Sequence, residues 1–194
     1  MAELDSVFIH PQALCESESV GAGTRVWAFA HVMEGAVVGE GCNICDHAFI
    51  ESGAVIGNGV TVKNSVLLWD GVTVEDDVFL GPNVVFTNDP NPRAAIKKDA
   101  AELAKTLVRR GATIGANSTV VCGIVIDEHC FIGAGSVVTS DVIPFALMFG
   151  NPARRHGWMC VCGLRLDDSL RCSCGRTYRE TTKGSLVLES SGPE

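Results

Sequence analysis

The chain has 194 residues, 46% of them hydrophobic and only 6% aromatic, with 21 glycines; that suffices for one principal domain with a short appendage, and it favours strands and tight turns over packed helices. The formal charge of -8 argues against nucleic acid as a partner for the whole surface. Residues 1–153 carry 8 basic and 18 acidic side chains, whereas 154–183 carry 7 and 3, so the end of the chain is its basic part.

Residues 1–12, MAELDSVFIHPQ, hold early acids and no apolar signal core, and the longest apolar run, 142–149, contains Pro144. A soluble, cytoplasmic protein without a membrane segment is expected. Nine cysteines in such a chain read as reduced thiols or metal ligands before they read as a disulfide framework.

From Val20 to Phe86 every sixth residue is Val, Ile, Leu or Phe, and two places before each, from Thr24 to Val84, stands a small or β-branched side chain. Neither the helical period of 3.6 nor simple alternation produces two such registers. In a strand, positions i and i-2 point the same way, while Gly, Asn and Asp fall where the chain must turn. Each hexad is therefore a short strand and a corner, and three make an eighteen-residue triangular coil that rises about 4.8 Å. About six coils are counted. Cys42 and Cys130 fall in the inner small register and are expected to be inert core thiols.

The period breaks at 88–107, NDPNPRAAIKKDAAELAKTL, where two prolines forbid a continuing ladder. Phe86 to Val108 is one hexad plus 16 residues, an excursion from the coil. A rigid prism needs projecting loops for selective binding. The polar residues Asn83, Thr87, Asn88 and Asp89 stand at its root, with Arg93, Lys97, Lys98, Lys105, Arg109 and Arg110 around it, a set suited to phosphates or a carboxylate. The period returns from Val108 to Val138, and the repeats close on IPFALMFGNPAR.

Residues 160–174, CVCGLRLDDSLRCSC, place Cys160, Cys162, Cys172 and Cys174 as two Cys-x-Cys pairs, each followed by Gly. Four thiolates suit a structural tetrahedral Zn²⁺, although a single intervening residue is shorter than the usual knuckle spacing. Structural zinc, free thiols and disulfides all stay open. Residues 181–194, rich in Ser, Thr, Gly and Glu, read as a flexible tail. The organisation expected is a repeat domain over 1–153, a Cys-rich appendage over 154–180 and that tail.

The hexads and the Pro-then-GNPA close resemble the hexapeptide-repeat acyltransferases. The resemblance implies an all-β fold, a left-handed parallel β-helix with one excursion loop, and a homotrimer. More narrowly, NGVTVKNSVLLWDGVTVEDDVFLGPNVVFTNDPNPRA, KTLVRRGATIGANSTVVCG and GNPARRHGWM are similar to bacterial UDP-2-acetamido-3-amino-2,3-dideoxy-D-glucuronate N-acetyltransferases, over roughly residues 7–160. This implies acetyl transfer from acetyl-CoA to the 3-amine of a UDP-linked amino sugar for surface polysaccharide. Trp27-Ala28-Phe29-Ala30-His31 matches a WxFxH phrase shared with acyltransferases of dTDP-3-amino sugars, which keeps that acceptor as the alternative.

Carried over residue by residue, the resemblance puts Asn88 beside the sugar amine and leaves His31 as a substrate-side donor or weak base. Asn83, Thr87, Asp89 and Arg93 become substrate contacts, Arg93 toward a carboxylate or phosphate. Acetyl-CoA is expected along a groove near Gly111, Ala116, Gly133 and Ala134, with Arg154 or Arg155 at its 3'-phosphate end. A carbonic anhydrase built on a similar prism needs three histidines on one zinc, and the spacing of His31, His47 and His129 does not supply them. A non-catalytic scaffold that binds a partner through its cysteine ribbon is the rival of another class.

Overall fold

The computed structural model describes residues 6–182 and 184–191; residues 1–5 of the expected repeat domain and 183 and 192–194 of the expected tail lie outside the described residues. Two-residue strands joined by corners wind a three-faced parallel β-solenoid. The first face stacks eight parallel strands from Phe8–Ile9 to Ala146–Gly150, and the antiparallel strand Ala153–Trp158 then closes it. Seven strands build the second face, from Leu14–Cys15 to Val137–Val138, and five the third, from Val37–Val38 to Val125–Ile126. The only helix among the described residues is the 3-10 turn Ala100–Glu102.

Regular layers put partners 18 residues apart, as in Arg25 opposite Asn43 and Asn43 opposite Thr61. The solenoid has about eight turns against the six counted from hexads, because its end coils depart from the period. Phe8 faces Arg25 at an offset of 17, and Phe131 faces Leu147 at 16. A ladder needs hydrogen bonds between layers, and corner length is free to vary where they close.

The two apolar registers fill the interior. Every sixth residue from Val26 to Phe86 and from Val108 to Val138 is at most 2% exposed, each such side chain contributing about 1.5–3 kcal/mol by leaving water. Polar members of the small register are satisfied: the Thr24 hydroxyl donates to the Gly39 carbonyl at 2.7 Å, and Ser118 to that of Gly133 at 3.1 Å. Corners recur with the same period, as a left-handed backbone conformation at every sixth residue from Gly23 to Asn83 and from Gly111 to Gly135. His47 (φ 60°) and His129 (φ 53°) take this position without being glycine, and each stacks on an aromatic ring, Phe29 at 5.0 Å and Phe145 at 5.5 Å.

The excursion leaves the register untouched. Val74 pairs with Val108 and Val85 with Thr119, a full layer across the insertion. The Ala104 N–H donates to the Asn88 carbonyl at 2.8 Å, so the loop starts and ends at one point.

The appendage has a small core of its own, in which Cys160, Leu166, Cys172, Tyr178 and Leu186 bury themselves against Phe145 of the prism. The segment expected as a flexible tail from 181 differs. Leu186–Ser190 is a strand antiparallel to Thr177–Glu180, and Leu186 is buried. The apolar run Leu186-Val187-Leu188, with its β-branched Val187, carries that strand, outweighing the polar composition around it.

Candidate functional site

The excursion root sits where the second face turns toward the third. Thr87 is held by the fold, its hydroxyl accepting the Cys122 N–H at 3.0 Å from the layer above. Asn88 follows. Its Nδ2 donates to the Asp70 carbonyl at 3.4 Å, its own carbonyl accepts Ala104, and its Oδ1 accepts no hydrogen bond from the described residues. One half of the amide is thus fixed to the scaffold while the other remains an acceptor. Asp70 is itself held, its N–H donating to Glu51 Oε2 at 2.8 Å.

Asp89 and Arg93 serve the loop. Asp89 Oδ1 accepts from Lys98 Nζ in an ion pair and from the Asn91 N–H at 2.8 Å, and Lys98 beside it holds the carboxyl below its ordinary range. Arg93 is exposed, bonds the Pro92 carbonyl at 3.0 Å and bridges to Ile96 in a tight turn. Asn83 occupies the preceding corner with φ 58°.

The phrase around His31 separates in space. Trp27 Nε1 donates to Asn43 Oδ1 at 2.6 Å, Phe29 forms a corner, and His31 Nε2 lies 2.9 Å from Glu16 Oε2. His31 stands in register with Phe49, Leu67 and Val85, three layers below the Asn88 turn, or about 14 Å along the axis. One protomer therefore does not bring His31 and Asn88 together. Between them runs an aromatic column that the repeat pattern does not single out: His31 meets Phe49 edge-on at 5.4 Å, Phe49 meets Trp69 at 5.5 Å, and Trp69 Nε1 donates to the Phe86 carbonyl at 2.8 Å. The signal in the sequence is Trp69 itself, an indole on an outward position directly after the inward Leu68.

The positions expected to contact acetyl-CoA divide between the two edges of the first face. Ala116 and Ala134 lie one above the other at the turn to the second face, where the Ala116 carbonyl accepts the Gly135 N–H at 2.8 Å. Gly133 is beside them with its N–H donated to Met148, and an added Cβ there would come within 2.9 Å of the Phe149 Cβ. Arg154 pairs across from Phe149, so these four positions share an edge. Arg155 lies over the Trp158 ring at 4.2 Å. Gly111 is at the opposite edge, a corner of φ 69° where a Cβ would meet the His129 ring at 2.3 Å. Burial there holds the His129 imidazole below its ordinary pKa.

The five histidines have other partners: His10 accepts the Gln12 N–H, and His156 stacks on Phe149 at 3.6 Å. The one group of three or more metal-ligating side chains found among the described residues is Cys160, Cys162, Cys172 and Cys174, whose sulfurs all lie within 4.8 Å of one another. No helix among the described residues is long and apolar enough to cross a membrane.

The pattern described as Bacterial transferase hexapeptide (six repeats) matches residues 19–52 and 105–140. Over 178 residues, covering 90% of this chain and 92% of the relative, the sequence is 49% identical to a dTDP-3-amino-3,6-dideoxy-alpha-D-galactopyranose 3-N-acetyltransferase of Aneurinibacillus thermoaerophilus. Among solved structures, the acetyltransferase domain of PglB from Neisseria gonorrhoeae, in complex with acetyl coenzyme A, superposes with a TM-score of 0.55 at 20% identity, over 79% of this chain and 58% of that one. A mutant of AntD, an N-acyltransferase from Bacillus cereus in complex with dTDP and coenzyme A, superposes with a TM-score of 0.56 at 18% identity, over 79% and 81% of the two chains. At these identities the superpositions establish the shared fold.

Proposed function

Because the chain belongs to the hexapeptide-repeat bacterial transferase family, we propose that it transfers the acetyl group of acetyl-CoA to the amine of a nucleotide-linked amino sugar, acting as a homotrimer. Identity of 49% along nine-tenths of the chain favours a dTDP-linked 3-amino-3,6-dideoxyhexose as acceptor. The UDP-linked 2-acetamido-3-amino-hexuronate implied by the FTN and NPRA phrases is the second arm of the test.

The carrying observation is Asn88. Its Oδ1 accepts from no donor among the described residues, on an amide whose Nδ2 is anchored to Asp70. Accepting one N–H of the sugar amine, it turns the nitrogen lone pair toward the thioester carbonyl, and positioning of this kind supplies much of the acceleration in bimolecular transfers. The N–C bond forms, the C–S bond breaks, and the proton lost by the amine leaves on the CoA thiolate. Backbone N–H groups are suited to hold the intervening oxyanion. His31 enters as a weak base only where assembly carries it to the Asn88 turn of another protomer. Ala116, Gly133, Ala134 and Arg154 share the edge along which CoA would lie.

Purified protein is given acetyl-CoA with matched dTDP- and UDP-linked 3-amino sugars while released thiol is followed. Fast release with the dTDP sugar is expected. Release only with the UDP-hexuronate keeps the reaction and changes the acceptor, and failure to bind CoA at all returns the scaffold reading.

A further inference from the structure

We propose that Cys160, Cys162, Cys172 and Cys174 hold one Zn²⁺ as four thiolates, a structural metal centre that fixes the C-terminal appendage onto the final layers of the solenoid. The site is independent of the acetyl-transfer reading.

The same turn is built twice. In each Cys-x-Cys-Gly segment the glycine N–H donates to the carbonyl of the first cysteine at 2.9 Å. That cysteine's N–H reaches four residues on, to Leu164 at 2.8 Å and to Arg176 at 2.9 Å. The glycines make the turn with φ 85° and 90°, a conformation costly for other residues. Folded this way, each knuckle presents its sulfurs to the other.

The resulting distances suit one ion. Cys160 Sγ lies 3.6 Å from Cys174 Sγ, Cys162 Sγ 3.5 Å from Cys172 Sγ, and no pair exceeds 4.8 Å. Four sulfurs around zinc at about 2.3 Å stand about 3.8 Å apart. The short spacing within each knuckle is thereby compensated, because close sulfur pairs also form between the knuckles. Two disulfides would tie the same partners, but they do not require all four sulfurs to meet at one point.

Surrounding groups are those a thiolate centre needs. The Tyr178 hydroxyl donates to Cys160 Sγ at 3.1 Å and is fixed by the Val161 N–H at 3.0 Å. Arg176 Nη1 donates to Cys174 Sγ at 3.3 Å. Donors of this kind orient ligands, and the guanidinium offsets part of the net double negative charge of zinc with four thiolates. The basic balance of residues 154–183 acts in the same direction.

The appendage also has need of a metal. Its buried core consists of a few side chains, two of them the cysteines Cys160 and Cys172, and modules this small are commonly stabilised by a metal or disulfides. The first knuckle lies on the solenoid: Met159, Cys160, Val161 and Gly163 line a small cavity together with Gly111 and His129. Four ligands leave no open position, so the ion does no chemistry on substrate.

Full-length protein purified under reducing conditions from zinc-supplemented cells is analysed for metal by mass spectrometry. One zinc per chain is expected, and none in the Cys162→Ser/Cys174→Ser variant. Because that variant can fail to fold, the native chain is also stripped and titrated with Co²⁺, where intense sulfur-to-cobalt charge transfer and tetrahedral visible bands are expected, with all four thiols shielded from alkylation. Cobalt binding without thiolate bands, two disulfides in the freshly isolated chain, or undiminished zinc in a folded double variant overturns the proposal.

Discussion

Asn88 ties its Nδ2 to the scaffold and leaves Oδ1 for the proposed contact with the sugar amine, which makes it separable from folding. Asn88→Ala removes one long 3.4 Å hydrogen bond at a half-buried position. Acetyl transfer is expected to fall by roughly 10²-fold, the scale of losing a positioned polar group at a reacting centre, while the β-sheet circular dichroism signal is unchanged. Undiminished transfer would remove Asn88 from the reaction. At His129 the effect is on stability. Burial lowers its folded pKa, with Arg110 acting in the same sense and Glu128 and Asp77 opposing. The unfolded imidazole therefore takes up a proton near pH 6.5 before the folded one does. Stability is fully present above that pH and is lost as pH falls toward the folded pKa. His129→Asn keeps a residue that tolerates the left-handed corner, and the difference between urea midpoints at pH 7.5 and 5.5 should shrink.

At the scale of elements the excursion behaves as an insertion. Deleting residues 89–104 restores an eighteen-residue coil between Val74 and the strand Thr106–Val108. Loop length affects closure entropy only slowly, so the thermal midpoint should move by a few degrees at most, while acetyl transfer with acetyl-CoA and the dTDP sugar should disappear. Retained turnover would place the site elsewhere. The hexads were readable because an inward position admits only what a narrow prism holds, from Val26 to Val138. The end coils were not, since offsets of 17 and 16 break the count without breaking the ladder. Corners were partly readable: glycines announce them, but His47 and His129 hold the same backbone and resemble candidate ligands until their stacking is seen. The root of the loop was legible from its prolines and polar residues. The Asp89–Lys98 ion pair and the column through Phe49 and Trp69 were not, as both depend on which layers meet.

Taken whole, the molecule is a stack whose layers contact only their neighbours, so its stability is built up along one dimension. The two ends differ. In the first layer Phe8, Ile9 and Leu14 are 43%, 46% and 52% exposed, whereas the last is covered by the antiparallel strand Ala153–Trp158 and by the appendage packed on Phe145. Hydrogen exchange should therefore open the strands Phe8–Ile9 and Leu14–Cys15 first and those from Thr61–Val62 to Phe131–Ile132 last; equal protection at both ends would show that the layers unfold as one. Since Ala104 rejoins the chain at Asn88 and the next layer falls into register regardless, the intervening residues are a cassette to the rest of the gene product. On the acceptor role proposed for Asn88, a change of sugar would need only a change in that stretch, with the solenoid left intact.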